Sequence, residues 1–274
     1  MLPKLFVTNF NRNFTGVSAT AANVVRAQLE RYDVQLVGQP LPGCPAPITV
    51  AQARVGSKEG AIWHVRRNTE MRAAIWARDV LRLPIKIVFT SAAQRRHSAY
   101  PRWLISRMDA IVATTDIAAA YVDNVRGVVG HGVATDVFKP APDRGVAWAT
   151  LGFGGARGIA TIGRVRPEKG TDLFVDAMCA MLPRHEDTIA LVIGKAAREY
   201  QGFLNGLKNR IDAAGMNERI LFLGERPAKS LPALMQGLSL VMQLPRYEGY
   251  GMVPLEGMAS AVPFVATDAG AYRA

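Results

Sequence analysis

The sequence predicts an α/β protein with two Rossmann-like domains, and three observations lead to this prediction. Short apolar runs alternate with amphipathic stretches along the whole chain, which is typical of parallel sheets covered by helices on both faces. The chain has 274 residues, 49% of them hydrophobic, which is enough for two modest cores. A segment rich in glycine and proline interrupts the alternation near the middle. We therefore expect an N-terminal domain over residues 1–140, a linker over 141–157 and a C-terminal domain over 158–274.

Each domain is expected to repeat a strand followed by a helix. In the first domain, apolar runs predict strands over residues 4–8, 34–37, 61–65, 85–90, 110–113 and 127–129. In the second, they predict strands over 159–162, 189–193, 220–223, 239–242 and 263–266, with helices over 171–181, 201–214, 231–236 and 252–260. Ligands of such sheets bind beyond the carboxyl ends of the strands, so we expect the two domains to face a cleft and the functional residues to follow strands.

The positive charge is concentrated in the first half. Residues 1–140 carry 18 Lys and Arg against 9 Asp and Glu, whereas residues 141–274 carry 15 against 13. The excess would attract phosphate groups of nucleic acid, of anionic lipids or of a phosphorylated glycan. A solvated arginine-rich face that keeps the protein soluble is the alternative.

Several functional classes find no support in the sequence. It contains no apolar run as long as a spanning helix and no CxxC, HExxH, Walker, GxSxG or Asp-x-Asp motif. We therefore expect neither a membrane span nor a signal peptide. Arg157 stands where a dinucleotide fingerprint over residues 152–157 would need a small residue. Cys44 and Cys179 are expected to be unreactive thiols in a reducing compartment. We predict neither a metal site nor a cofactor.

The sharpest local feature is the segment RYEGYGMVPLE at residues 246–256, which follows a predicted strand. Glu248 lies in the loop and Glu256 in the following helix, and carboxylates accept hydrogen bonds from the hydroxyls of a sugar or a ribose. Glycines in the loop and the free N–H groups at the helix start suit a phosphate. The candidate ligand contacts here are Gly249, Tyr250, Gly251 and Met252. Two exposed glutamates without a function are the alternative.

A second loop, GRVRPEKG at residues 163–170, brackets a turn with Arg164 and Lys169. Two cations on one loop can neutralise a diphosphate leaving group, as a divalent metal does elsewhere. A basic surface turn is the alternative.

Three features of the first domain provide weaker evidence for a functional site. The turn before the first helix contains Gly16 and Val17, where the backbone can approach a phosphate, although such glycines also serve conformation alone. His64 at a strand end is a candidate for contact with a reacting sugar or acceptor, and a structural histidine is the alternative. Arg66 and Arg67 are candidates for binding a phosphorylated acceptor.

Taken together, these elements resemble the retaining family-4 glycosyltransferases of the GT-B fold. In chain order, the matches are Gly16-Val17 to the family's glycine loop, residues 131–138 to its NGVDTxxF stretch, Arg164 and Lys169 to its Arg-x4-Lys pair, and Glu248 and Glu256 to its Glu-x7-Glu pair. Residues 64–71 and 90–98 are similar to the lipopolysaccharide-core mannosyltransferases of this family.

The resemblance implies roles for the site residues and a reaction. Arg164 and Lys169 would bind the donor diphosphate, Glu256 the ribose and Glu248 the transferred sugar. The implied enzyme is metal-independent and moves a hexose, with mannose favoured, from a nucleotide-sugar such as GDP-mannose to a lipopolysaccharide-core or lipid-linked saccharide. We expect it in the cytoplasm, with an anionic surface of the inner membrane as a further partner.

Family members continue beyond the position that corresponds to Ala274, so we expect a chain truncated in its second domain. Two rival functions remain open: a nucleotide-sugar-binding fragment without catalysis, and a basic nucleic-acid-binding protein. The second is disfavoured because the sequence contains no recognisable nucleic-acid-binding module, and we expect no nucleic-acid partner.

Overall fold

The computed structural model describes residues 3–273, which divide into two compact units, one up to Gly132 and one from Val133 onward. Each unit contains one parallel sheet with helices on its faces, so the predicted α/β class is confirmed. No helix among the described residues is long and apolar enough to cross a membrane.

The first unit contains a six-stranded sheet in the order β2-β1-β3-β4-β5-β6. Its strands are β1 Lys4–Asn9, β2 Asp33–Gly38, β3 Ala61–Val65, β4 Ile85–Ser91, β5 Ala110–Ala113 and β6 Val125–Val128. Its helices are α1 Gly16–Gln28, α2 Val50–Gly56, α3 Asn68–Ile75, α4 Ala99–Ile105 and α5 Asp116–Ala119, and a π-helical turn over Trp76–Val80 continues α3.

The second unit contains a five-stranded sheet in the order β11-β10-β7-β8-β9. Its strands are β7 Arg157–Ile162, β8 Thr188–Ile193, β9 Ile220–Gly224, β10 Leu240–Gln243 and β11 Phe264–Ala266. Its helices are α6 Arg144–Leu151, α7 Thr171–Met181, α8 Gln201–Ala213, α9 Leu231–Gly237 and α10 Met252–Ala259.

Both sheets bury apolar side chains on both faces, which explains the unbroken apolar runs of their strands. In β1, Leu5 and Val7 face one core while Phe6 faces the other. In β8, Leu191 belongs to one core and Val192 to the other. Side chains of a strand alternate between faces, so a fully apolar strand requires a helix layer on each side.

The second unit begins before the predicted domain boundary, and the predicted linker over residues 141–157 contains helix α6. Asp143 caps this helix by accepting a hydrogen bond from the backbone of Val146, and Gly152 ends it in the left-handed conformation. These cap signals are present in the sequence, but the abundance of glycine in this segment obscured them.

Trp148 anchors α6 on the second sheet. Its ring is buried, and its indole N–H donates to the carbonyl groups of Gly154 and Gly155 at 3.0 and 3.2 Å. The ring lies so close to Gly158 of β7 that a Cβ atom there would come within 2.1 Å of it. A glycine inside this strand is therefore required by the tryptophan that packs on it.

We predict that Gly158→Ala lowers the free energy of unfolding by about 1–3 kcal/mol, because the added methyl group overpacks the Trp148 contact. The measurement is urea denaturation followed by tryptophan fluorescence. Gly206→Ala in α8 is the matched control, since a Cβ atom there meets nothing within 4 Å. An equal effect of both substitutions would contradict this account of the packing.

Candidate active site

In the second unit, two of the predicted loops lie side by side. β7 and β10 are parallel neighbours, so the loops that follow them, residues 163–170 and 244–251, leave the same edge of the sheet. Gly170 shows how closely they approach: a Cβ atom at this residue, whose φ is +66°, would lie 1.7 Å from the carbonyl oxygen of Leu244. Only glycine fits this contact.

Arg246 fastens the second loop to the first. Its guanidinium makes a bidentate ion pair with Asp172 at 2.8 and 2.7 Å, and its backbone N–H donates to the carbonyl of Glu168 at 2.9 Å. The hydrogen bond from Arg246 lowers the pKa of Asp172. Sequence reasoning missed this clamp, because nothing in the spacing of two residues 74 positions apart relates them.

The clamp brings two of the predicted site residues together. The Lys169 ammonium lies 2.6 Å from one carboxylate oxygen of Glu248, and the other oxygen accepts from the backbone N–H of Gly249 at 2.9 Å. Both side chains keep about a fifth of their surface exposed, 21% and 20%. The carboxylate is thus fixed in orientation but still accessible.

Arg164 and Glu256 make no hydrogen bond or ion pair with this couple among the described residues. Arg164 is exposed on the same loop as Lys169. Glu256 lies on α10 and is largely buried, and burial alone raises its pKa to about 7. Its carboxyl group therefore sits where added hydrogen-bond donors would stabilise the ionised form.

A turn near the end of the described chain covers the glycine loop. Gly251, with a φ of +92°, directly precedes α10, and a Cβ atom there would lie 2.1 Å from the ring of Tyr272. Ala271 donates its N–H to the carbonyl of Tyr250 at 2.9 Å. Burial and then the charge of Glu248 raise the pKa of Tyr272. Tyr272 is an addition to the predicted site, and its proximity to Glu248 had no signal in the sequence.

No side chain caps the start of α10, so the N–H groups of its first turn remain available to a ligand. The side chain of Met252, the first residue of this helix, is buried, so a contact of this residue with a ligand would involve its backbone.

In the first unit, the predicted turn over Gly16 and Val17 opens helix α1. A Cβ atom at Gly16 would meet nothing within 4 Å, and no side chain caps the helix. Val17 is 39% exposed. The surroundings of Gly16 therefore offer open space and free backbone N–H groups, as a phosphate requires.

His64 lies on β3 and is oriented by two neighbours. Its Nε2 is 2.7 Å from the hydroxyl of Thr90, and its Nδ1 is 3.4 Å from a guanidinium nitrogen of Arg66. Burial and then the charge of Arg66 lower the pKa of His64 well below its usual range. The imidazole is therefore neutral at pH 7 and serves as a hydrogen-bonding group.

The two arginines after His64 have different surroundings. Arg67 donates to the fully buried Glu70 and to Asn9, both at 3.0 Å. It also donates to the hydroxyl groups of Thr15 and Ser18 at the start of α1, both at 3.1 Å. Arg66 is itself buried. Among the described residues, no group of three or more His, Cys, Asp or Glu could hold a metal ion.

Comparison with known proteins gives three kinds of match. Residues 151–274 match the family model "Glycosyl transferases group 1". The chain is 40% identical to the lipopolysaccharide core biosynthesis mannosyltransferase LpsB of Rhizobium meliloti (strain 1021), over 98% of this chain and 78% of that protein. It is 39% identical to LpcC of Rhizobium leguminosarum bv. viciae, a protein of the same description, with the same coverage.

Among solved structures, Anabaena Alr3699/HepE in complex with UDP-glucose superimposes with a TM-score of 0.80 at 18% identity. This match covers 98% of the present chain and 82% of the other. At this identity, the likeness concerns the fold.

We predict that Glu256→Gln stabilises the protein at pH 8 and leaves its stability nearly unchanged at pH 4. The raised pKa means that folding favours the protonated carboxyl, so the wild type loses stability as the pH rises from about 4.5 through about 7. The difference at pH 8 is at most about 3.5 kcal/mol, since one pKa unit corresponds to ~1.4 kcal/mol. Denaturation with urea at both pH values measures it. The exposed Glu225→Gln is the control, and a pH-independent effect of Glu256→Gln would contradict the burial argument.

Proposed function

Since the chain belongs to the group 1 glycosyltransferases, with two parallel α/β sheets of the GT-B class, we propose that it transfers a hexose from a nucleotide-sugar to a saccharide with retention of the anomeric configuration and without a metal. The observation that carries the proposal is the Lys169–Glu248 couple at the carboxyl edge of the second sheet.

The two basic residues of the first loop suit a diphosphate leaving group. As the glycosidic bond breaks, negative charge grows on the diphosphate, and preorganised cations stabilise it at no cost of reorganisation. Lys169 is already held in place by Glu248, and the exposed Arg164 is available on the same loop. These two cations supply the charge that a divalent metal provides in other transferases.

Glu248 suits the sugar that is transferred. Lys169 and the N–H of Gly249 occupy one lone pair on each carboxylate oxygen, and the remaining lone pairs can accept hydrogen bonds from hydroxyl groups. The backbone of Gly249, Tyr250, Gly251 and Met252 leads from this carboxylate to the uncapped start of α10, where a phosphate can bind.

Glu256 suits the ribose. Its carboxyl group is largely buried and accepts no hydrogen bond from the described residues, and two vicinal hydroxyls would supply the missing donors. In the first unit, Gly16 and Val17 offer backbone N–H groups to a phosphate, while His64 and Arg66 are assigned to the reacting sugar and the acceptor.

Neither Glu248 nor Glu256 fits the roles of a glycosidase. Hydrolysis with retention needs a carboxylate nucleophile and a carboxylic acid on either side of the scissile bond. Glu248 is ion-paired with Lys169, and both glutamates are assigned to the donor. Leaving-group stabilisation then contributes most of the rate enhancement.

Mannose and the lipopolysaccharide core are the favoured sugar and acceptor, because LpsB and LpcC are mannosyltransferases of lipopolysaccharide core biosynthesis. GDP-mannose is therefore the favoured donor, and a lipid-linked saccharide is the second acceptor class.

The proposed location is the cytoplasm, with peripheral attachment to the inner membrane. The surface of α4 supports the attachment. Tyr100 and Trp103 are about half exposed, at 50% and 49%, and their rings stack with centroids 6.3 Å apart. Arg107 lies over the Trp103 ring, with its guanidinium carbon 5.4 Å from the ring centroid, and Arg102 is exposed beside it. Aromatic rings flanked by arginines suit the head-group region of an anionic bilayer.

We expect Glu248→Gln and Lys169→Met each to lower the turnover of GDP-mannose by at least about 100-fold, as does the loss of a group that stabilises transition-state charge. The assay follows release of GDP in the presence of lipopolysaccharide core, and circular dichroism checks folding. Glu225→Gln and Lys208→Met are the matched controls, because both residues are exposed. Unchanged turnover in either site variant would refute its assignment.

The non-catalytic alternative is distinguished by calorimetry with GDP-mannose and UDP-glucose, followed by the same turnover assay. Binding of a donor without hydrolysis or transfer would favour a binding fragment.

For the membrane, we expect the protein to sediment with vesicles of phosphatidylglycerol and phosphatidylcholine but not with phosphatidylcholine alone, since each basic residue near an anionic surface contributes about 1 kcal/mol. Trp103→Ala should weaken the binding about tenfold, whereas Val146→Ala, which removes another exposed apolar side chain, should not. Equal binding to both kinds of vesicle would rule out this surface.

A further inference from the structure

The first unit contains a buried polar cluster around Glu70. This carboxylate is fully buried and accepts five hydrogen bonds. The donors are the hydroxyl of Thr8, the backbone N–H groups of Phe10, Arg66 and Arg67, and the guanidinium of Arg67. Arg67 forms the direct ion pair with Glu70, at 3.0 Å.

Arg66 is a second cation beside this satisfied pair. Its residue is only 8% exposed, and its Nη1 is buried without a hydrogen-bond partner among the described residues. Its Nη2 lies 3.4 Å from Nδ1 of His64. Burial lowers the pKa of Arg66 to about 10, so the guanidinium remains charged at neutral pH.

The neighbours of Arg66 compensate its charge only in part, because Glu70, the carboxylate nearby, is already ion-paired with Arg67. His64 is neutral, as shown above, and burial followed by the charge of Arg66 lowers the pKa of His131 to about 4. Two guanidinium groups therefore share one carboxylate, and the cluster carries one net positive charge. A buried cation and a buried N–H group without an acceptor both destabilise a fold unless something supplies the acceptor.

The hydrogen bonds of His64 are consistent with Arg66 acting as a hydrogen-bond donor. If Arg66 donates to Nδ1, the ring proton is on Nε2, which donates to the hydroxyl of Thr90 at 2.7 Å. The arginine also follows directly on β3, at the edge of the sheet where ligands of parallel α/β sheets bind.

We propose that Arg66, oriented by His64 and flanked by His131, forms an anion-binding subsite that takes a carboxylate or phosphate group of the acceptor saccharide. The assignment to the acceptor rests on the proposed transferase function; the anion site itself does not. Arg66 donates the hydrogen bonds from Nη1 that the protein leaves unmade, and the ligand supplies the missing negative charge.

The direct test compares three probes by calorimetry with the full chain: glucuronate, glucose 6-phosphate and glucose. We expect at least one anionic sugar to bind at least about tenfold more tightly than glucose, and Arg66→Met to abolish the preference. The two anionic probes distinguish a carboxylate from a phosphate ligand. Arg72→Gln, an exposed arginine on α3, should retain the preference. Equal binding of all three sugars to the wild type would overturn the proposal.

Thermal unfolding separates a ligand site from a structural role. We expect Arg66→Met to unfold at the same temperature as the wild type or higher, since it removes a charge that is compensated only in part, and inorganic phosphate to raise the melting temperature of the wild type only. If Arg66→Met does not fold, Arg66→Lys keeps the charge and should retain the preference for anionic sugars with weaker affinity. A strong loss of stability in Arg66→Met, with no effect of phosphate on the wild type, would assign Arg66 to the fold.

Different results would refute the acceptor subsite and the proposed transferase function. Transfer to an anionic acceptor saccharide at an undiminished rate in Arg66→Met would refute the acceptor subsite and leave the transferase intact. An anion preference that depends on Arg66, in a protein that neither binds nor turns over any nucleotide-sugar, would refute the proposed function alone.

Discussion

The contact between Lys169 and Glu248 depends on the parallel pairing of β7 and β10. The two residues are 79 positions apart in the sequence, yet their strands end at the same edge of one sheet. Gly170 allows the backbones of the two loops to touch, and Arg246 locks them together through Asp172. A loop held in this way presents its charged groups without needing to reorganise, which is the condition for electrostatic catalysis.

Glu256 and Arg66 each lack a partner that burial normally demands. Glu256 in the second unit has no hydrogen-bond donor among the described residues, and burial raises its pKa to about 7. Arg66 in the first unit lacks an acceptor for Nη1. The missing partners are of opposite kinds, because Glu256 needs hydroxyl groups that donate hydrogen bonds and Arg66 needs an anion that accepts them. Each is costly for folding, so a ligand that supplies the missing group is the simplest physical reason for both.

The sequence predicted the strands well because each is an apolar run that is buried on both faces, as β8 is throughout its length. The prediction that the loops over residues 163–170 and 246–251 carry functional residues rested on their position after strands, since ligands of parallel α/β sheets bind beyond the carboxyl ends of the strands. Roles for individual atoms could not be predicted in the same way. That Glu248 binds Lys169 directly, and that Tyr272 packs on Gly251, depends on side-chain positions that no spacing encodes.

Helix α6 and the pair Arg66 and Arg67 are two further features that the sequence alone did not reveal. The helix was hidden by the glycines around it, although the contact between Trp148 and Gly158 makes it part of the core. Arg66 and Arg67 are identical in the sequence, but one is fully bonded within the fold and the other is not. Only the three-dimensional environment distinguishes a structural arginine from one available to a ligand.

The central claim is that Lys169 binds the diphosphate of the donor. The most direct measurement is calorimetric titration of the wild type and Lys169→Met with GDP and with GMP, which differ by one phosphate. The account predicts that the wild type prefers GDP by at least about tenfold and that the substitution removes this preference while GMP binding stays the same. A preference for GDP that survives in Lys169→Met would contradict it.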